Sequence, residues 1–233
     1  MRLAYQPPYD WAAMLGFLSA RAITGLETVV AGVYRRSISM AGRHGWVSVE
    51  PGAGDWLEVT VDFPEPAAMP EIERRLRRMF DLDAVPEVIN AQLSQDPLMA
   101  QLVAARPGLR LPGTWDGLEL AIRAVLGQQI TVVAAIRLAG KLVAQYGQTL
   151  QTPHAGITHL FPTPEVLAAA DLATLGMPKA RGRTLSGVAQ ALLDDPQLFE
   201  PKASLQDGVA RLVALPGIGE WTAQYIAMRQ LRE

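Results

Sequence analysis

Two sets of residues have types and spacings that can do chemistry. The run Leu215-Pro216-Gly217-Ile218-Gly219-Glu220-Trp221 places a pair of glycines one residue apart. Such a turn tolerates left-handed backbone and leaves no side chain between its amides and a ligand. At the start of a following helix those amides face outward and can hold an anion, for example one DNA phosphate, without reading base sequence. Taken alone, a Pro-Gly-x-Gly run is as readily an ordinary tight turn between packed helices. Trp221 and Tyr225 stand at i and i+4, as do Phe17 and Arg21, so each pair shares one helix face. An exposed aromatic pair of this kind can stack a planar ligand, whereas a buried one is core.

Other chemistries are excluded or poorly supplied. The chain has no cysteine, which removes disulfides, thiolate metal sites, cysteine nucleophiles and iron–sulfur clusters. His44, His154 and His159 have no ligand spacing between them. The carboxylates nearest the glycines are Asp207, in the preceding helix, and Glu220, where a carboxylate would face phosphate. A net charge of −2 over 233 residues argues against a broadly electrostatic nucleic-acid binder. Acidic residues outnumber basic ones over 1–88 and the balance turns slightly basic over 89–233. Any DNA contact is therefore expected to be local, backbone-led and in the second part.

These residues need elements to position them. Asp10 is an N-cap for a helix through Trp11, Leu15, Leu18 and Arg21, and Leu26–Tyr34, Trp46–Glu50 and Trp56–Val61 read as strands. Gly42 and the cluster Pro51-Gly52-Ala53-Gly54-Asp55 mark turns of an antiparallel meander. A helix over 70–80 puts Ile72, Leu76, Met79 and Phe80 on one face and Arg74, Arg75, Arg77 and Arg78 on the other, a face read as solvated rather than ligand-binding. Beyond Phe80 the strand signals stop. Helices broken at Pro86 and Asp96-Pro97 lead into a rigid connector at 106–113, and further helices are predicted from Asp116 or Thr114, from Thr131 to Tyr146, from Thr163, over 179–193, from Ser204 and from Trp221 to Arg232. The expectation is an α+β N-terminal domain with a small antiparallel sheet (1–88), then an all-α domain (89–233).

The motifs also match in order along nearly the whole chain. Tyr5-Gln6-Pro7-Pro8-Tyr9-Asp10-Trp11, Met14-Leu15-Gly16-Phe17-Leu18, Arg106-Pro107-Gly108-Leu109-Arg110-Leu111-Pro112-Gly113, Leu126-Gly127-Gln128-Gln129, Phe161-Pro162-Thr163-Pro164 and the final hairpin together resemble bacterial 3-methyladenine DNA glycosylase II, the AlkA type. The resemblance implies a helix-hairpin-helix glycosylase fold behind the N-terminal domain, acting as a monomer on double-stranded DNA with alkylated bases of the 3-methyladenine and 7-methylguanine type. No apolar run approaches the roughly 20 residues of a membrane span and the start Met1-Arg2-Leu3-Ala4-Tyr5 lacks the apolar core of a signal peptide, so the cytoplasm is the expected location. The target base would be flipped out of the stack. The family's correspondences make Leu126 the apolar wedge, Trp221 and Tyr225 the aromatic wall for an electron-poor base, and Phe17 and Arg21 the border of the same pocket. Leu215, Pro216, Gly217, Ile218 and Gly219 become the phosphate-binding hairpin. The carbonyls of Val213, Leu215 and Ile218 are implied ligands of a structural Na+ or K+, with no cofactor required.

Trp221 occupies the position of the nucleophilic lysine in glycosylases that also cut the strand. A Schiff-base lyase is thereby disfavoured, and a monofunctional hydrolase is expected. The family's catalytic aspartate would fall beyond Glu233, so no catalytic residue is assigned within the chain and the 233 residues alone are expected to be inactive. The alternative is a non-catalytic DNA-binding protein, or a truncated pseudo-enzyme, that uses the same hairpin.

Overall fold

A computed structural model describes residues 1–231; the predicted helix end at Arg232, with Glu233, lies outside the described residues. The strands β1 (Arg2–Ala4), β2 (Glu27–Val30), β3 (Val33–Met40), β4 (Arg43–Pro51) and β5 (Trp56–Asp62) form one antiparallel sheet in the order β1-β5-β4-β3-β2. The segment 26–34, read from sequence as a single strand, is split by a hairpin at Ala31-Gly32. Both turn residues are left-handed, with φ 52° and 81°, as are Ala41 and Gly42 between β3 and β4, with φ 47° and 74°. Such turns match the twist of the flanking strands. Alanine pays a steric penalty there, so Ala-Gly gives a weaker signal than Asn-Gly.

One sheet face packs on α1 (Trp11–Ser19) and α2 (Met69–Met79), burying Leu3, Tyr34, Val47, Val49 and Leu57 against Met14, Leu18, Ile72, Leu76 and Phe80. Of the α2 arginines, Arg74 pairs with Glu71 and Arg77 with Asp83 at the surface, whereas Arg75 pairs with Glu71 while lying over the core indole of Trp115, and Arg78 is half-buried, so the face expected to be solvated is only partly so. The connector at 106–113 closes back onto this domain. Gly108 accepts a hydrogen bond from the Asp10 amide at 2.7 Å, and a Cβ on Gly113 would stand 2.4 Å from the Arg78 carbonyl oxygen.

The remainder is helical: α3 (Pro86–Leu93), α4 (Pro97–Ala105), α5 (Gly117–Leu126), α6 (Val132–Tyr146), α7 (Pro164–Ala169), α8 (Lys179–Asp194), α9 (Leu205–Val213) and α10 (Glu220–Ile226), which runs on as a π-helical turn over Ala227–Leu231. The expected caps form. Asp116, not Thr114, accepts from the amides of Leu118 and Glu119, while Thr131, Thr163 and Ser204 each hold an amide three residues on. Helix α5 is the centre of this domain; all its residues except Arg123 are buried, and it packs against α6, α8 and α10.

Four charged side chains join the domains, three of them buried and the fourth, Arg123, partly exposed. Arg36 on β3 meets Glu119 on α5 at 2.6 Å, and Arg123 on α5 meets Glu27 on β2 at 2.5 Å and Glu119 at 2.7 Å. Burial alone would raise the Glu119 carboxyl, but the guanidinia of Arg36 and Arg123 hold it well below the usual carboxylate range. No described helix is long and apolar enough to cross a membrane.

Candidate nucleic-acid interface and base pocket

The glycine turn does different things at its two glycines. Gly217 has φ +88°, and a Cβ there would stand 2.1 Å from the Thr184 hydroxyl of α8, so this glycine lets the turn pack against its neighbour. Gly219 is the extended N-cap of α10, without a side-chain cap, and a Cβ there would meet nothing within 4 Å. The backbone at Gly219 is thus open to an approaching ligand, with the first amides of α10 behind it. Ile218 is buried and donates its amide to the Leu215 carbonyl at 3.0 Å, which closes the turn.

The implied cation ligands can be tested against this geometry. Val213 ends α9, and Leu215 and Ile218 lie in the turn itself. Their neutral, hard carbonyl oxygens suit a weakly held monovalent ion, and one of the two lone pairs on the Leu215 oxygen is left after the Ile218 bond. Among the described residues there is no group of three or more His, Cys, Asp or Glu side chains able to hold a metal.

A second element leans on the hairpin. Gln128, between α5 and α6, donates from Nε2 to the Gly217 carbonyl at 3.0 Å and to the Thr222 hydroxyl at 3.2 Å, while Arg181 of α8 donates to the Gln128 carbonyl at 2.6 Å. The tip of this turn is Gln129, exposed and left-handed at φ 57°. Leu126, expected as the wedge, is 0% exposed and belongs to the helical core. That expectation is corrected: Leu126 is still in the last turn of α5 and faces inward, and the chain turns outward only after Gly127. The Leu126-Gly127-Gln128-Gln129 motif is plain in the sequence, but its exposed, left-handed residue lies three positions beyond Leu126.

Beside the hairpin a cavity of about 320 Å³ opens between α5, α6 and α10, within the range of about 300–1,000 Å³ usual for small-ligand sites. Its floor is apolar, from Ala124, Ile130, Ile136 and Ala139, and Trp221, Tyr225, Arg21 and Arg123 stand around it. The Trp221 and Tyr225 rings stack at 5.4 Å between centroids with 10° between planes, and Trp221 is 72% exposed. Two stacked rings with the outer one open to solvent form a platform rather than a core contact. Phe17 stands behind Arg21, whose guanidinium lies 4.0 Å from its ring, and is not on the cavity wall. Arg123, which sequence alone did not single out, reaches the cavity edge and donates to the Arg21 carbonyl at 2.8 Å.

Among the described residues neither a carboxylate nor a lysine lines this cavity. Asp207 is occupied in the cap of α9, accepting from the Ser204 hydroxyl at 2.8 Å, and Glu220 accepts from Gln224 at 3.0 Å on the exposed side of α10.

Comparison with known proteins agrees with this architecture. Residues 1–116 match the AlkA N-terminal domain, and residues 122–228 match the HhH-GPD superfamily of base excision DNA repair proteins. The chain is 38% identical over 231 residues to DNA-3-methyladenine glycosylase 2 of Escherichia coli, covering 97% of this chain and 79% of that protein. It is 39% identical over 231 residues to a probable bifunctional transcriptional activator/DNA repair enzyme AlkA of Mycobacterium tuberculosis, spanning less than half (46%) of that protein's length. Among solved structures, a 3-methyladenine DNA-glycosylase from Archaeoglobus fulgidus superposes with a TM-score of 0.86 at 22% identity, over 100% of this chain and 80% of that one, which establishes a shared fold.

Proposed function

We propose that this chain, which belongs to the AlkA family of HhH-GPD base excision DNA repair proteins, binds double-stranded DNA as a monomer in the cytoplasm and receives a flipped, alkylated purine in the cavity beside its hairpin. The observation that carries this reading is the exposed Trp221–Tyr225 stack at the mouth of an apolar cavity, next to a turn whose backbone is open at Gly219. The hairpin of Leu215, Pro216, Gly217, Ile218 and Gly219 holds one phosphate through backbone amides. The carbonyls of Val213, Leu215 and Ile218 hold Na+ or K+, which adds positive charge beside that phosphate. Stacking on Trp221 then favours an electron-poor ring such as 3-methyladenine or 7-methylguanine.

Gln129, rather than Leu126, fills the gap left in the duplex, since it is the exposed tip of the turn that Gln128 ties to the hairpin. A base removed from this site leaves by hydrolysis. Among the described residues the cavity is lined by no lysine for a Schiff base, which supports a monofunctional glycosylase. The sugar cation of such a reaction needs a carboxylate close by. None of the described residues that line the cavity supplies one, so we expect the chain as given to bind without releasing base.

A duplex carrying one 7-methylguanine tests the reading. The chain should bind it more tightly than the undamaged duplex, Trp221→Ala should remove that preference while undamaged binding stays, and no free base should appear. Equal affinity for the two duplexes would overturn the pocket assignment, and release of 7-methylguanine by the wild-type chain would overturn the expectation of inactivity.

A further inference from the structure

Arg229 lies in the π-helical turn after α10 and belongs to none of the roles assigned above. Its guanidinium carbon is 4.5 Å from the centroid of the Phe17 ring and 4.9 Å from that of Tyr225, and its Nη1 donates to the Pro112 carbonyl at 2.5 Å. Phe17 also carries Arg21 at 4.0 Å, and Tyr225 carries Trp221 at 5.4 Å. The result is one unbroken series of ring and guanidinium contacts from Arg21 and Phe17 of the N-terminal domain, through Arg229 and Tyr225, to the exposed indole of Trp221. An indole that is 72% exposed has little packing of its own to fix it. Its orientation then depends on what holds Tyr225.

We infer that Arg229 is a positioning residue for the stacking wall: bridging Phe17 and Tyr225, it orders Tyr225 and through it Trp221, and so makes the N-terminal domain part of the base-binding surface. A guanidinium suits this place because it is planar, permanently charged and stacks on rings while its edge hydrogen-bonds a carbonyl. A lysine keeps the charge but not the plane. The inference rests on the base-pocket reading for its purpose, but not for its test.

The test is the order parameter of the Trp221 indole N–H, measured by NMR relaxation on the whole chain and assigned with Trp221→Phe. In the wild type it should lie near the rigid value of about 0.85, and in Arg229→Gln and Phe17→Leu it should fall below about 0.6. Arg229→Lys should recover part of the loss and Arg229→Met, uncharged but of similar reach, should not, which separates the charge from mere volume. Phe17→Leu keeps the bond to Pro112, so it still decides the question should Arg229→Gln fail to fold. A Trp221 order parameter unchanged in Phe17→Leu, or unchanged in a folded Arg229→Gln, overturns the inference. In parallel, the affinity for free 3-methyladenine should weaken about two- to fivefold in both variants, the size of one exposed cation–π contact. If the wild-type chain binds no 3-methyladenine at all, the base-pocket reading fails, while the order parameters still decide the role of Arg229.

Discussion

Arg36 and Glu119 meet at 2.6 Å with side chains only 2% and 3% exposed, one from the sheet and one from the central helix of the glycosylase-like domain. Around them the buried Glu27 and the part-exposed Arg123 complete a set of two acids and two bases, and Glu27 also accepts from the Tyr34 hydroxyl at 2.6 Å and the Ile23 amide at 3.0 Å. Charges this deep are tolerable only when each has its partners. Removing one leaves the others uncompensated.

Glu119→Gln should therefore destabilise the chain by about 3–5 kcal/mol, the usual consequence of breaking a buried pair from one side. Urea unfolding measures it. A change below about 1 kcal/mol would mean that water reaches the cluster and screens it.

The same carboxylate sets an acid limit. The guanidinia of Arg36 and Arg123 hold it below the ordinary value of 4.5, so its contribution is fully present above 4.5 and is lost over the acid interval below it. Stability measured against pH should decline across that interval in the wild type, and the part due to this group should be missing in Glu119→Gln. Parallel pH profiles for the two proteins would show that other carboxylates dominate the acid limb.

At the hairpin the two glycines should separate folding from binding. Gly217→Ala meets a left-handed backbone and the Thr184 hydroxyl together, and the backbone alone is worth about 1–2 kcal/mol. Gly219→Ala has φ −88° and open space, so stability should be almost unchanged. Gly219→Asp puts a charge where the phosphate is proposed to sit. Two like charges roughly 4 Å apart in water repel by about 1 kcal/mol, so duplex affinity should fall about fivefold. Thermal melting reads the first pair and filter binding the last; unaltered binding by Gly219→Asp would move the phosphate elsewhere.

These outcomes follow how far each feature was legible in the sequence. Caps at Asp10, Asp116, Thr131, Thr163 and Ser204 are local, side chain to amide within a few residues, and sequence shows them directly. The Trp221–Tyr225 platform could be read as a shared helix face, but its exposure could not, because exposure is decided by which other elements stop short of it. Strand β1 is three residues long, too short for its alternation to stand out in the sequence; it is a strand because Leu3 lies opposite Leu57. The buried charge cluster was also invisible, since Arg36 and Glu119 are 83 positions apart and each alone reads as a surface residue. Arg229 was missed for a similar reason, its partners Phe17 and Pro112 lying far away in sequence.

Leu126 and Gln129 give the sharpest contrast between a residue that holds the fold and one proposed to enter DNA. Leu126 is wholly enclosed, so Leu126→Ala should lose about 2–5 kcal/mol by leaving a cavity. Gln129 is an exposed tip that is already left-handed, and Gln129→Ala keeps that backbone strain while removing only the side chain, so stability should stay within about 0.5 kcal/mol. Binding should reverse the order. With 2-aminopurine beside a 7-methylguanine, unstacking raises the fluorescence, and the rise should survive in Leu126→Ala at a temperature where it remains folded but shrink in Gln129→Ala, because nothing then holds the gap open. The opposite pattern, a rise lost with Leu126→Ala and kept with Gln129→Ala, would require Leu126 to leave the core when DNA binds, and would restore to it the wedge role that its burial here denies.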